Sequence, residues 1–251
     1  MTAMLISAFA PLAHGAEYLV YVGTYTNTGK SQGIYAYRFD SQSGKLESIG
    51  LAAQTVNPSY VTIHPNRKYL YAVSEVGNGN GGGAVAAFSI DPKTAKLTPL
   101  NTTPSRGSGP CYVSVDHTGK AAMVANYNSG SVALLPIKAD GSLGDATAFV
   151  QHKGEVADKV RQEGPHAHSV NLPKSNRFML ATDLGLDEVP EPGQAQRIID
   201  LVGDSVRKGQ DLRLVGNEVL GVVAIVVDPN EAQDESEEGD RAKKEPIAPC
   251  K

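Results

Sequence analysis

The 251-residue chain has no tryptophan, two cysteines and four methionines, and its lysines and arginines (23) fall slightly short of its aspartates and glutamates (27). Cys111 and Cys250 lie far apart with neither a metal-ligand spacing nor a disulfide framework around them, and they read as two unrelated thiols. A net charge of −4 with no basic run gives no electrostatic footprint for nucleic acid or an anionic membrane, so neither is expected as a partner. The apolar stretches, such as Val219 to Val227, are too short to span a bilayer. Aromatic residues stop early: all ten tyrosines fall between Tyr18 and Tyr127, and none of Phe, Tyr or Trp follows Phe178. Two kinds of sequence are joined here.

What is present is a repeat. Asn57-Pro-Ser-Tyr60 running to Glu75, Gly109-Pro-Cys-Tyr112 running to Asn126, and Gly164-Pro-His-Ala-His168 running to Asp183 each read as strand, polar turn, strand. Pro58, Pro110 and Pro165 stand 52 and 55 residues apart. Between these segments a second hairpin recurs: Gly33 to Leu46, Gly83 to Leu97 and Gly130 to Leu143, each turning on residues rich in Asp, Gly and Lys. Two hairpins per period of about 50 residues make a four-stranded propeller blade. Both faces of Tyr69-Leu-Tyr-Ala-Val73 are apolar or aromatic, as expected for a sheet packed between neighbouring sheets. The fold predicted is therefore all-β: a partial β-propeller of about three and a half four-stranded blades.

Outside the repeat, residues 1–16 carry a short apolar run and a small-x-small site at Ala13-His-Gly15 without a basic segment before it; they are read as a signal peptide. With it the protein would be periplasmic or secreted, and without it cytoplasmic. After Val189 the two prolines Pro190 and Pro192 argue against an interior strand. Residues 190–230 read as an unrelated αβ-type tail, with an amphipathic helix over 194–208 and strands at Leu212 to Val215 and Val219 to Val227. Residues 231–251 form an acidic segment too polar to pack and are expected to be disordered.

Taken in order, Tyr21-Val-Gly-Thr-Tyr-Thr26, Asn57-Pro-Ser-Tyr60 with His64-Pro65, Ala125-Asn-Tyr-Asn-Ser-Gly130, Gly164-Pro-His-Ala-His168 and Ala181-Thr-Asp-Leu-Gly185 resemble the lactonase family of 6-phosphogluconolactonase-like, seven-bladed propellers. The resemblance covers residues 17–189. It implies an enzyme that opens a sugar lactone, a small-molecule substrate and no cofactor. At about 50 residues per blade, seven blades would need on the order of 350 residues, so the resemblance implies a chain truncated after about residue 189, as at a fusion or a reading-frame join. The family's site also uses an Arg and a Glu from the following blade. No Pro-Arg-His occurs here, and Asn217-Glu218 lacks a blade around it, so those roles are not carried over. Activity is expected to be impaired, with a non-catalytic propeller binding module or an inactive fragment as the alternatives. An open propeller edge would also invite self-association.

Opening a lactone needs a base for water, groups that stabilise the oxyanion, and positive charge for anionic parts of the substrate. His166 and His168 are the candidate bases, since an imidazole titrates near neutrality. Period-two alternation puts both on one strand face. Arg161, just upstream, is the candidate for holding an anionic group. The residues alone leave three roles open for the histidine pair: a base, a hydrogen-bonded structural pair, or two ligands of an incomplete metal site; no metal is expected. His64 and His117 sit in turns of other blades and read as structural.

Overall fold

A computed structural model of the chain describes residues 16–77, 82–154, 163–173, 176, 179–186 and 225–227. Among these there is no helix, and the strands fall into sheets that follow the repeat. The first sheet contains β1 (Glu17–Val22), β2 (Gly33–Asp40) and β3 (Leu46–Gln54). The second contains β4 (Val61–Ile63), β5 (Tyr69–Ser74), β6 (Ala84–Ile90) and β7 (Leu97–Pro104). The third is β8 (Pro110–Val115), β9 (Ala121–Asn126), β10 (Ser131–Pro136) and β11 (Ala148–Gln151), and β12 (Ala167–Asn171) pairs with β13 (Leu180–Asp183) to begin a fourth. The second and third sheets run in strict sequence order with every pair antiparallel. Each is a blade.

The first blade departs from that order. Its β1 pairs on one side with β2 and on the other with β14 (Ile225–Val227), in the register Leu19↔Val227 to Tyr21↔Ile225. β14 thus takes in blade one the place that β4 and β8 take in blades two and three. These first strands contact one another in the series β14, β4, β8, β12, which marks them as the inner edge of the arc. Of the tail read from sequence, Ile225–Val227 is the part described. The signal-peptide reading of 1–16, apart from Ala16, the helix over 194–208 and the acidic segment 231–251 lie outside the described residues.

Local chemistry explains the hairpins. Asp40 Oδ1 accepts the N–H groups of Gln42 and Ser43 at 2.8 Å each, and Gly44 then turns the chain at φ 70°. Asp91 does the same for Lys93 and Thr94, and Asp140 for Ser142. These are Asx turns, in which a short carboxylate closes a loop that the ladder cannot.

The core lies between blades rather than within any one of them. Leu70 and Ala72 point into a cluster with Leu19, Tyr21 and Ile34 of blade one. Their neighbours Tyr71 and Val73 point the other way, against Val113, Val124 and Leu135 of blade three. On β9 the alternation repeats, with Met123 and Ala125 facing Val170 and Met179 of blade four. Strands buried on both faces produce the two-sided apolar pattern seen in the sequence.

Polar bridges repeat across the same interfaces. His64 Nε2 donates to the Gly119 carbonyl (2.9 Å) while its Nδ1 accepts from the Asn66 N–H (3.1 Å). The Tyr71 hydroxyl donates to the Gly141 carbonyl at 3.0 Å. One blade further on, Asp116 Oδ2 accepts from Asn176 Nδ2 at 2.9 Å. His64 is structural in this setting, as its turn position suggested.

Candidate functional site

His166 and His168 meet at one end of the blades, where the chain leaves each second strand and enters each first one. A main-chain hydrogen bond marks the spot in blades two, three and four: Glu75 N–H to Asn57 O (3.0 Å), Tyr127 N–H to Gly109 O (2.8 Å), Leu184 N–H to His166 O (2.9 Å). By this register His166 corresponds to Asn57 and Gly109, whereas the sequence repeat aligned it with Ser59 and Cys111. The next residues confirm the offset, because Pro110 and Ala167 pair with Asn126 and Asp183. His168 is therefore the residue that corresponds to Cys111 and Ser59.

The offset has a local cause. The pairing of β12 with β13 is irregular between Ala167 and Ser169, as that of β8 with β9 is between Pro110 and Tyr112. Each irregularity leaves one residue, His168 or Cys111, outside the pairing and re-aims it. His166 stands just before β12, so simple alternation along a strand does not relate the two histidines. Tyr127 brings them together instead. The His166 ring stacks on it at 4.5 Å between centroids and 16° between planes, and the His168 ring meets it edge-on at 5.7 Å and 84°.

His166 is held from three sides. Its Nδ1 lies 3.1 Å from the Tyr127 carbonyl oxygen, which can only accept, so this nitrogen carries the proton. Nε2 then keeps its lone pair, with a Glu163 carboxylate oxygen 3.7 Å away. The His166 backbone N–H donates to Asp183 Oδ1 at 2.7 Å. His168 is exposed, and among the described residues its ring nitrogens have no hydrogen-bond partner. Arg161 lies outside the described residues.

Sequence reasoning missed the group beneath His166. Asp183 Oδ2 and His152 Nδ1 are 2.6 Å apart with both side chains almost fully buried (0% and 2% exposed), while Asp183 Oδ1 accepts from both His166 N–H and Gly185 N–H. Burial by itself would raise this carboxyl. The hydrogen bonds from His152, His166 and Gly185, with the His152 charge, outweigh burial and hold it below the usual carboxylate range. Asp183 was legible within its Asp-Leu-Gly run; His152, alone after β11, carried no motif.

A second polar group stands on the same end, in blades one and two. Ser59 Oγ and Tyr25 Oη both donate to Glu75 Oε2, the latter at 2.9 Å. Burial, then the bond to Glu75, pushes the Tyr25 phenol up to about 12. Between the two groups lies Cys111, whose Sγ is 3.5 Å from the His168 carbonyl. Burial first, and the Glu75 charge second, push its thiol up to about 12, which leaves it a weakly polar wall rather than a nucleophile. Among the described residues no three His, Cys, Asp or Glu side chains are grouped to hold a metal ion.

Comparison with known proteins shows the family of the propeller. Residues 19–190 match the family model described as "Lactonase, 7-bladed beta-propeller". The 6-phosphogluconolactonase of Bacillus subtilis is 38% identical over 173 residues, covering 69% of this chain and 48% of the relative. A 6-phosphogluconolactonase of Formosa agariphila is 29% identical over 168 residues, covering 67% and 47%. Among solved structures, the periplasmic gluconolactonase of Pseudomonas aeruginosa superposes with a TM-score of 0.64 at 36% identity, covering 69% of this chain and 49% of that one. The chain spans about half the length of the curated relatives it matches.

Proposed function

The chain belongs to the lactonase family of seven-bladed β-propellers, and from that premise we propose that it carries the base of a carboxylic ester hydrolase that opens a sugar lactone, of the class for which its relatives are named. The observation that carries the reading is the setting of His166. Its Nδ1–H is committed to a backbone carbonyl, so the lone pair of Nε2 is left to accept a proton. Fixing one nitrogen in this way sets tautomer and ring orientation, which general-base catalysis requires.

In the proposed reaction Nε2 takes a proton from water as the water oxygen bonds to the lactone carbonyl carbon. The tetrahedral intermediate then expels the ring oxygen, which leaves with the proton that the imidazolium returns. The product is an open-chain hydroxy acid, and no covalent enzyme intermediate forms. A Glu163 carboxylate oxygen stands 3.7 Å from Nε2, on the side where the proton is taken up. Tyr127 holds the ring by stacking. Arg161 is proposed for an anionic group, such as the carboxylate that ring opening creates. His168 stands on the exposed side of Tyr127 and is proposed to contact substrate.

Turnover of glucono-lactones by the whole chain, corrected for spontaneous hydrolysis, tests the assignment. His166→Ala is expected to lose about 10²–10⁴-fold in kcat, and His168→Ala less. Unchanged activity in the double variant overturns both roles. If residues 1–16 act as a signal peptide the chain is proposed to be periplasmic or secreted, as the name of the Pseudomonas aeruginosa periplasmic gluconolactonase exemplifies in the family, and otherwise cytoplasmic.

A further inference from the structure

We propose that Glu75, presented by Ser59 and Tyr25, is the hydroxyl-binding and selectivity-setting residue of this site, and that it favours a neutral polyhydroxy ring lactone over its phosphorylated counterpart. The inference rests on the lactonase reading for its substrate and on separate residues for its argument. Ser59, Cys111 and His168 occupy corresponding positions at the start of the first strands of blades two, three and four, and Glu75 and Tyr127 occupy corresponding positions after the second strands. The register thus sets the Glu75 group at the same end of the blades as the histidine group, with Cys111 and Tyr127 of blade three between them. The link is physical as well: the Glu75 charge acts on the Cys111 thiol, and that thiol touches the His168 carbonyl.

The state of the carboxylate shows what it is arranged to do. Both hydroxyl donors converge on Oε2, and Oε1 has no partner among the described residues. No lysine or arginine among the described residues forms an ion pair with it. A carboxylate fixed through one oxygen and open at the other accepts hydrogen bonds from sugar hydroxyls without moving, and such bonds to a charged acceptor are among the stronger ones. The same charge repels a phosphate. A phosphate carries close to two negative charges at neutral pH, and at ~6 Å from a carboxylate in a water-like medium it is disfavoured about tenfold. Ser59 and Tyr25 are positioning residues here, since they act through Glu75.

Unreactive ring analogues separate this proposal from the lactonase reading, because they report binding without turnover. Dissociation constants of the whole chain for 1,5-anhydroglucitol and for its 6-phosphate are measured by calorimetry, alongside turnover of glucono-lactone and its 6-phosphate. The expected result is that the wild-type chain prefers the neutral analogue about tenfold, that Glu75→Gln abolishes the preference, and that Ser59→Ala narrows it. A preference unchanged in Glu75→Gln, a wild-type preference for the phosphorylated analogue, or no binding of either analogue overturns the proposal. Selective binding without turnover of either lactone overturns the hydrolase reading and leaves the role of Glu75 standing. Far-UV circular dichroism of Glu75→Gln, matched to wild type, ties any change to the site.

Discussion

Replacing Asp183 tests the foundation on which the candidate base stands. Its carboxylate accepts from His152 Nδ1 at 2.6 Å, from the His166 N–H at 2.7 Å and from the Gly185 N–H at 2.9 Å, with a side chain that is 0% exposed. Asp183→Ala strands two buried N–H groups and a buried imidazole. Breaking a buried pair from one side costs about 3–5 kcal/mol, a large share of the 5–15 kcal/mol typical of a folded domain. Asp183→Asn keeps an acceptor for both N–H groups and offers its amide to His152, so the loss should be about 1–2 kcal/mol.

The molecule contains its own model for that variant. Asn126 pairs in blade three as Asp183 does in blade four, and its Nδ2 donates to Ser105 O at 3.2 Å. Ser105 and His152 correspond in turn, since their N–H groups donate to Gly83 O and Gly130 O, each at 2.9 Å. The pH dependence has a definite sign. The folded Asp183 carboxyl lies below its unfolded value, near 3.9, so its contribution is present above that value and is lost as pH falls through the folded pKa. The gap between wild type and Asp183→Asn should therefore close as pH falls below about 4. Urea titrations followed by tyrosine fluorescence suit a chain that has no tryptophan and carries its tyrosines in blades one to three. An Asn variant within 0.5 kcal/mol of wild type at pH 5, or a gap that widens in acid, refutes the reasoning.

Three further outcomes follow from single contacts. Tyr71→Phe should cost about 1 kcal/mol by leaving the Gly141 carbonyl unpaired, whereas Tyr21→Phe should be neutral or stabilising, because the buried Tyr21 hydroxyl has no partner among the described residues; matched urea titrations that rank them the other way contradict the bonding described. Gly119→Ala should cost roughly 2–4 kcal/mol, since its Cβ would stand 2.3 Å from His64 Cε1 at a φ of +70°; a melting temperature unchanged from wild type would show that the His64–Gly119 bridge yields freely. Cys111, with its thiol near 12, should resist iodoacetamide at pH 8 in the folded protein and react on unfolding, as read by mass mapping. Labelling of the folded form at the rate of a free thiol would mean that the blade interface opens there.

The propeller was legible because its physics is local. A strand buried on both faces must be apolar at every position, and Leu70 to Val73 divide between two interfaces as that pattern requires. The Asp-Gly-Lys turns carried the blade count, because Asp40, Asp91 and Asp140 close their own loops within three residues. The candidate site was legible in part, and for the opposite reason. His166 and His168 stood out through a Pro-His-x-His run, yet the extra residue in the β12–β13 pairing moved each to a place the aligned prolines did not predict. Prolines mark where a strand begins, not which residue pairs first. His152 and Glu75 were silent because their partners are distant in sequence: Asp183 is 31 residues from His152, and Tyr25 is 50 from Glu75. Such pairs arise from corresponding positions in successive blades, so a sequence repeat predicts them once its register is known to the residue. At the ends of these blades a shift of two residues decides whether a side chain is the one that faces its neighbour or the one buried beneath it.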